Sequence, residues 1–518
     1  MTSLQSLISH FRQFGNRTML SIFLFGIASG FPWVMIGSVL SAWLKDAGLT
    51  RSAIGYFTAV FAVYSVNFLW SPMLDRIKVP LLCRRLGQRR GWILSMQLLI
   101  ALCCLLLSQI DPNANLTLAG LAALMIALCS ATQDIAIDAY RIDSIDPQHN
   151  EQQSSAAAMS TSGWWTGYAL LGAIPFFIAD LPGWQWPDVY LLLGAIMLLL
   201  TLAIGVAKEP HSIREQAYQE AQSRYLAAVS AKGHQALLVL MAIGLAVVLC
   251  FTGVFGPSWF SYQNGVFSLL VILLLVYAIS ATSRMLKTPH SVAMQHSGHA
   301  QRAMAWVLVS MGEPLRDFFN RNGVRLALAL ILFVMLFKMG EAILGRMSIV
   351  FYKEVGFSNS DIAAYSKLLT WAVTIVASVT GSLINLRIGI IKGLFVGGIA
   401  MAASNLLFAL MASVGPDKTL LFITIVVDGF TAAWGTVAFM AFISVLCNRA
   451  FTASQYALLA SIGTFGRTTL GAYSGLIVDN LGGNWQLFFL LTALMVVPSL
   501  VLLYLIRHRV RDLAGQRA

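Results

Sequence analysis

The sequence predicts an all-α polytopic membrane protein of two parallel six-helix halves, with two more helices inserted between them, fourteen transmembrane helices in all. Three observations carry this expectation. Of 518 residues, 58% are hydrophobic and 11% charged, against roughly 25% charged in soluble domains. Apolar runs of the length that crosses a hydrocarbon core of roughly 30 Å as a helix recur along the whole chain. Two sets of residues also repeat at a spacing of about 300 positions. The runs are solid blocks of Leu, Ala and Gly, which excludes a membrane β-barrel with its short alternating segments.

Polar punctuation between apolar blocks sets the spans near 19–43, 52–72, 91–109, 116–139, 155–179, 187–206, 235–255, 265–282, 326–350, 361–384, 388–412, 419–446, 455–477 and 485–506. Residues 1–19 lack the short apolar core and small-residue cleavage site of a signal peptide, so the first run is expected to be a retained helix. Connections on alternate sides differ sharply in charge. With both termini inside, the inner connections and tails carry 26 of the 34 Lys and Arg. The outer side carries 4, Lys45, Arg51, Lys353 and Lys418, and the spans hold Lys338, Arg346, Lys367 and Arg467. Positive charge gathers on the cytoplasmic side, so both termini are expected there.

Lys45, Gly48, Ser52 and Ile54 match Lys353, Gly356, Ser360 and Ile362 at an offset of 308, and Gly167, Gly172, Asp180 and Gly183 match Gly466, Gly471, Asp479 and Gly482 at 299. Matched segments lie on the same side and run the same way. This parallel repeat is the arrangement of major facilitator transporters, the major facilitator fold. Six spans need about 200 residues, so about 100 are inserted between the halves. The expected division is an N-terminal half at 1–207, cytoplasmic linkers with the inserted helices near 235–255 and 265–282 at 208–311, and a C-terminal half at 312–518. Within the first linker, Ile213–Ala231 reads as a surface helix with Tyr218, Tyr225 and Leu226 on its apolar side.

Several chemistries are absent from the pattern. There is no phosphate-cradling GxxxxGK[ST], no GxGxxG, no HExxH and no GxSxG. No enzyme activity, cofactor or metal is expected. The eight histidines lie in connections and tails, and the spacing of His290, His296 and His299 fits no standard metal site. The six cysteines sit in or beside apolar runs without a CxxC pair and read as small packing residues. A formal charge of +12 without interleaved aromatic patches points to topology and anionic lipid, with no nucleic-acid partner.

Ionisable residues inside spans are the positive signal, because a charge at the centre of a membrane helix costs about 2.5–3.5 kcal/mol on insertion scales. Asp134 and Asp138 lie on the fourth span, Lys338 and Glu341 on the seventh core helix, and Lys367 on the eighth. Asp428 lies on the tenth and Arg467 on the eleventh. Facilitator proteins line their cavity with core helices 1, 4, 7 and 10, and three of these carry an acid here. Asp134, Asp138 and Arg141 share one helical face. A buried carboxyl near a cation can change protonation as its surroundings change, so Asp134, Glu341, Asp428 and Asp138 are candidates for proton coupling. The alternative is a set of static ion pairs, Asp138 with Arg141 and Lys338 with Glu341.

Substrate contacts would come from Lys338, Lys367 and Arg467, which suit carboxylates, and Gln133, which suits hydroxyl or amide groups. Trp371 and Trp434, with Trp164 and Trp165, offer faces for a sugar ring or serve as packing. Asp75 and Arg76, followed by Arg84, Arg85, Arg89 and Arg90, resemble the facilitator motif between helices 2 and 3 that latches the cytoplasmic gate. Arg141 joins that gate set.

Longer motifs bring a closer likeness. Phe68-Leu69-Trp70-Ser71-Pro72-Met73-Leu74-Asp75-Arg76, Ser130-Ala131-Thr132-Gln133-Asp134-Ile135-Ala136-Ile137-Asp138-Ala139-Tyr140, Pro314-Leu315-Arg316-Asp317-Phe318-Phe319, Phe337-Lys338-Met339-Gly340-Glu341 and Gly466-Arg467 resemble the AmpG-type permeases and their acetyl-coenzyme A transporter relatives. The likeness runs from about residue 20 to 505 outside the inserted pair. It implies proton-driven import of N-acetylglucosaminyl-anhydro-N-acetylmuramyl peptides across the bacterial inner membrane, supporting cell-wall recycling and β-lactamase induction. It also implies roles for Asp134, Lys338, Glu341 and Lys367. Two departures stand out: Asn67 where relatives often carry lysine, and extra helices between the halves where some relatives carry theirs at the C-terminus. A siderophore or acetyl-coenzyme A carrier, or a membrane-embedded enzyme acting on a sugar-lipid, are the alternatives. The expected partners are an anionic amino sugar or glycopeptide, protons and membrane lipid, with the chain acting as a monomer.

Overall fold

A helix satisfies its backbone polar groups internally, which is what a chain this apolar needs in lipid. The computed structural model describes residues 13–49, 57–179, 181–211, 214–255, 265–287, 298–357, 365, 369–471 and 473–513. Among these residues there is no strand. Each stretch predicted to span is mostly helical where described, with turns interrupting some, as at Phe337 and Lys338 and at Met495 and Val496.

The first half comprises α1 (Arg17–Asp46), α2 (Val60–Leu69), α3 (Gln88–Leu107), α4 (Leu116–Asp143), α5 (Gln152–Trp165) and α6 (Trp186–Val206). The linker region holds α7 (Arg214–Ala231), α8 (Gly233–Phe255), α9 (Gly265–Lys287) and α10 (His299–Asn322). The second half comprises α11 (Val324–Val355), α12 (Thr370–Ile388), α13 (Ile390–Val414), α14 (Lys418–Leu446), α15 (Thr452–Gly471) and α16 (Trp485–Val510).

Ten of these helices among the described residues are long and apolar enough to cross a membrane, and an eleventh arises if α7 and α8, bent by 113°, are one span. The stretches of the fourteen that fall short have a physical reason. α2 is short, α5 breaks into a π turn at Thr166–Leu170 and a 3-10 turn at Leu171–Ala173, and α15 is rich in Ser, Thr and Gly. All three pack against helices of the other half, so their faces meet protein where other spans meet lipid.

Packing repeats between the halves. α1 lies on α5 as α11 lies on α15, α3 on α4 as α13 on α14, and α3 on α6 as α13 on α16. α1 and α5 touch backbone to backbone: a Cβ on Gly30 would sit 2.1 Å from the Trp164 carbonyl oxygen, and one on Gly163 2.2 Å from that of Phe23. Only glycine permits such an approach. The halves meet where α5 packs on α12 and α14, and α15 on α2 and α4.

The linker helices form their own apolar core from Tyr218, Tyr225, Val239, Ala278 and Leu308, capped by Phe451 at the α15 end. Tyr218 and Tyr225 are buried as their helical spacing predicts, but they face α10 and the second half, not a solvent surface. The polar stretch 283–325, read as connection, contains the 24-residue α10, which runs through residue 311, where the linker was expected to end. His290 and His296 lie outside the described residues, and no metal-capable cluster occurs among those described.

Candidate functional site

At the end of the bundle where the basic connections gather, a buried ion cluster joins four elements. Ser71–Arg76, a short helix after α2, presents Asp75, and α3 begins with Arg89. The Arg89 guanidinium donates to Asp75 at 2.9 Å and to Asp143, at the end of α4, at 3.0 Å. Arg214 of α7 adds a second cation to Asp143 at 3.2 Å. All four side chains are at most 5% exposed.

The second half closes the cluster with α15. Its first turn offers unpaired N–H groups, and Asp75 accepts the Ser454 N–H at 3.1 Å and the Ser454 hydroxyl at 2.8 Å. Thr452 donates its hydroxyl to Asp143 at 2.6 Å. Burial, with Arg89 alongside, pushes the Arg214 guanidinium below its usual range against the pull of Asp143. Glu209 caps α3, accepting the backbone N–H groups of Arg89 and Arg90 at 2.8 and 3.1 Å.

Arg76 leaves this cluster. It donates to Gln222 on α7 at 2.7 Å and to the Trp306 carbonyl and Ser310 hydroxyl on α10 at 2.9 and 3.0 Å, and it stacks on the Tyr218 and Trp306 rings. Arg141, fully buried, pairs with Asp138 at 3.2 Å, donates to Ser444 of α14 at 2.9 Å, and lies over the Tyr456 ring. Asn385 of α12 donates to Ser154 of α5 at 3.0 Å, and Ser461 of α15 donates to Asn67 at 2.9 Å.

Within the membrane-depth helices the acids divide into two kinds. Asp138 and Glu341 are ion-paired, Glu341 with Lys338 one turn before it. Asp134 and Asp428 have no ion pair among the described residues. Asp134 accepts the Ser29 hydroxyl of α1 at 2.6 Å, and Asp428 that of Ser404 on α13 at 2.9 Å. Both are half-buried.

The candidate substrate residues scatter. Lys338 donates to Thr436 at 2.6 Å and the Ala432 carbonyl at 3.3 Å, both on α14, as well as pairing with Glu341. Gln133 is buried and donates to the Ala28 carbonyl at 2.8 Å. Trp434 is buried and donates to Asn385 within the second half at 2.9 Å, orienting the side chain that reaches Ser154 across the halves. Trp371 is half-buried with an indole N–H that has no hydrogen-bond partner among the described residues. Arg467 is exposed and donates to Thr464 on its own helix at 3.1 Å. Lys367 lies outside the described residues.

Beside Asp134 stands an aromatic group. The Trp33 ring is 4.5 Å from Tyr64, 4.9 Å from Phe61 and 5.7 Å from Trp164, which stacks on Tyr168 at 5.0 Å. Trp33, Phe61, Trp164 and Tyr168 are half-buried. The π turns at Met35–Val39 and Thr166–Leu170 flank this group, and such turns often mark functional positions in helices.

Sequence reasoning missed Asp143, Arg214, Thr452, Ser454 and Ser444. Asp143 carried a usable signal as an acid ending a span on the basic side; Arg214, one residue into a polar helix, carried none.

Comparison with known proteins follows this geometry. Residues 22–257 match the model of the Major Facilitator Superfamily. A putative transporter AmpG 4 of Rickettsia conorii is 29% identical over 95% of this chain and 97% of its own length. The anhydromuropeptide permease of Escherichia coli is 26% identical over 94% of this chain and 79% of its own. Among solved structures, a major facilitator proton:xylose symporter bound to 6-bromo-6-deoxy-D-glucose superposes with a TM-score of 0.57 at 13% identity, covering 94% of each chain.

Proposed function

We propose that this chain, a multi-pass protein of the major facilitator fold whose relatives are named AmpG transporters and anhydromuropeptide permease, is an AmpG-type permease that imports N-acetylglucosaminyl-anhydro-N-acetylmuramic acid and its peptides together with protons. The direction is inward across the bacterial inner membrane, with both termini in the cytoplasm, as one chain acting alone. The imported fragments would feed cell-wall recycling and β-lactamase induction.

The observation that carries the coupling is that Asp134 and Asp428, each half-buried at membrane depth, have no ion pair among the described residues and each accept a serine hydroxyl. A carboxylate there without a cation is costly when charged, so its protonation follows which side of the membrane reaches it. A hydroxyl accepts or donates, and Ser29 can serve either form of Asp134. The membrane potential adds about 2.3 kcal/mol per 100 mV for each charge moved.

The substrate class rests on the relatives' names and on the aromatic faces of Trp33, Trp164 and Tyr168 beside Asp134. Aromatic side chains with a few placed polar groups are the usual lining of a small-molecule site. Lys338, with Lys367 and Arg467, is the proposed source of charge for the substrate's carboxylates, and Trp371 a further ring face. The clustered contacts Asp75–Ser454, Asp143–Thr452 and Arg141–Ser444 close the basic end, so this conformation is read as shut toward the cytoplasm.

The test is uptake of the labelled disaccharide into proteoliposomes under an imposed proton gradient, comparing wild type with Asp134→Asn. Gradient-dependent uptake lost in the variant supports substrate and coupling site together. Absence of uptake by the wild-type protein would sink the substrate.

A further inference from the structure

We infer that Arg214, on the linker helix α7, is a positioning residue of the cytoplasmic gate: it holds the gate shut through Asp143, and the gate opens only when α7 withdraws.

The argument starts from charge. Asp75 and Asp143 contribute two negative charges to a buried cluster, Arg89 supplies one positive charge to both, and Glu209 and Arg449 at its margin offset each other. Arg214 brings the cluster to neutrality. Without it a carboxylate stays buried and under-compensated, the arrangement that costs most in a low-dielectric site.

Geometry says which state this protects. Asp143 Oδ2 takes both arginines, which frees Oδ1 for the Thr452 hydroxyl of the second half. Arg214 thus orients the carboxylate that grips α15. The rest of α7 follows the same seam: Tyr218 packs edge-on against Phe451 at 5.1 Å and beneath Arg76 at 5.0 Å. Arg224 ties α7 to Glu313 of α10 at 2.7 Å, and α10 reaches α15 where Gln455 donates to the Pro314 carbonyl and to Asp317, both at 2.9 Å. The linker therefore spans both halves at the closed end. Separation of Asp143 from Thr452 would leave Arg214 paired to one half and Phe451 moving with the other, so α7 cannot keep both contacts.

The experiment measures gate opening without substrate, so its outcome is independent of the muropeptide reading. Ala453, 1% exposed between Thr452 and Ser454, is replaced by cysteine in a background with all six native cysteines changed to serine. Its rate of labelling by a membrane-impermeant maleimide is then read from the cytoplasmic side in inside-out vesicles. Arg214→Ala is expected to label about ten-fold faster, with Arg214→Lys in between because charge returns without the guanidinium fork. Lys78→Ala, which breaks an exposed pair with Glu215 on the same helix, is expected to label at the parent rate. If Arg214→Ala does not yield folded protein, Arg214→Gln takes its place. Parent-rate labelling in the neutral variant, or equal rates for the lysine and neutral variants, overturns the inference.

Discussion

Arg141 and Ser444 lie on opposite halves of the bundle, and the Arg141 guanidinium donates to the Ser444 hydroxyl at 2.9 Å while holding Asp138 on its own helix at 3.2 Å. One fully buried cation thus serves an acid within one half and a hydroxyl of the other. Arg141→Ala is expected to abolish gradient-driven uptake and to destabilise the protein by roughly 3–5 kcal/mol, because Asp138 then loses its only ion-pair partner among the described residues. Thermal unfolding in detergent and uptake in proteoliposomes check the two parts. An unchanged melting temperature would show that Asp138 does not depend on Arg141.

Asp134→Asn keeps an oxygen for the Ser29 hydroxyl but cannot titrate. Accumulation driven by a proton gradient is expected to fall to background while exchange of labelled for unlabelled substrate continues. Counterflow and gradient-driven uptake measured on the same vesicles separate these outcomes. Loss of both would place Asp134 in substrate binding, and loss of neither would move coupling to Asp428 or Glu341.

Trp33→Ala and Trp164→Ala remove adjoining ring faces beside Asp134. Each is expected to raise the KM for the disaccharide about ten-fold, since aromatic contacts are worth roughly 0.5–1.5 kcal/mol beyond their buried area. The dependence on the proton gradient should persist. An unchanged KM in both variants would assign these rings to packing.

Trp434→Phe deletes the indole N–H that Asn385 accepts at 2.9 Å. Leaving that buried carbonyl oxygen unmet costs roughly 1–3 kcal/mol, so the melting temperature should drop with little change in KM. A large rise in KM at constant stability would instead put Trp434 in contact with substrate.

Gly30→Ala places a methyl 2.1 Å from the Trp164 carbonyl oxygen. Neither helix backbone can yield without moving the other, so a loss of roughly 1–3 kcal/mol is expected from overpacking. Gly15→Ala, with nothing among the described residues within 4 Å of its Cβ, is the matched control and should unfold at the wild-type temperature.

Much of this architecture was legible in the chain. Runs such as 116–139 and 419–446 announce themselves because lipid demands continuous apolar helix, and α4 and α14 follow them closely. The stretches at 52–72 and 155–179 were harder, because a helix facing protein can be short, polar or broken. α10 was hidden for a related reason: its apolar stripe is narrow, and Pro314 sits within it. Among candidate site residues, the acids were visible by type, but their partners were not. Ser29 is 105 positions from Asp134, and Arg214 is 71 from Asp143. Gln133 and Trp434 have the chemistry of sugar-binding residues, and only their neighbours, the Ala28 carbonyl and Asn385, show that the Gln133 amide N–H and the Trp434 indole N–H are already engaged.

The glycine seam between α1 and α5 has a mechanical meaning. Where two backbones bear directly on each other, no layer of pliant side chains remains to take up shear. Ser29 and Trp33 on α1 and Trp164 on α5 must then travel together, like points on one lever, and elastic give is left to the junction with the second half. The Ser29 hydroxyl and the Trp33 and Trp164 rings would keep their mutual spacing through every stroke, so the proposed substrate site is framed by the part of the first half that deforms least.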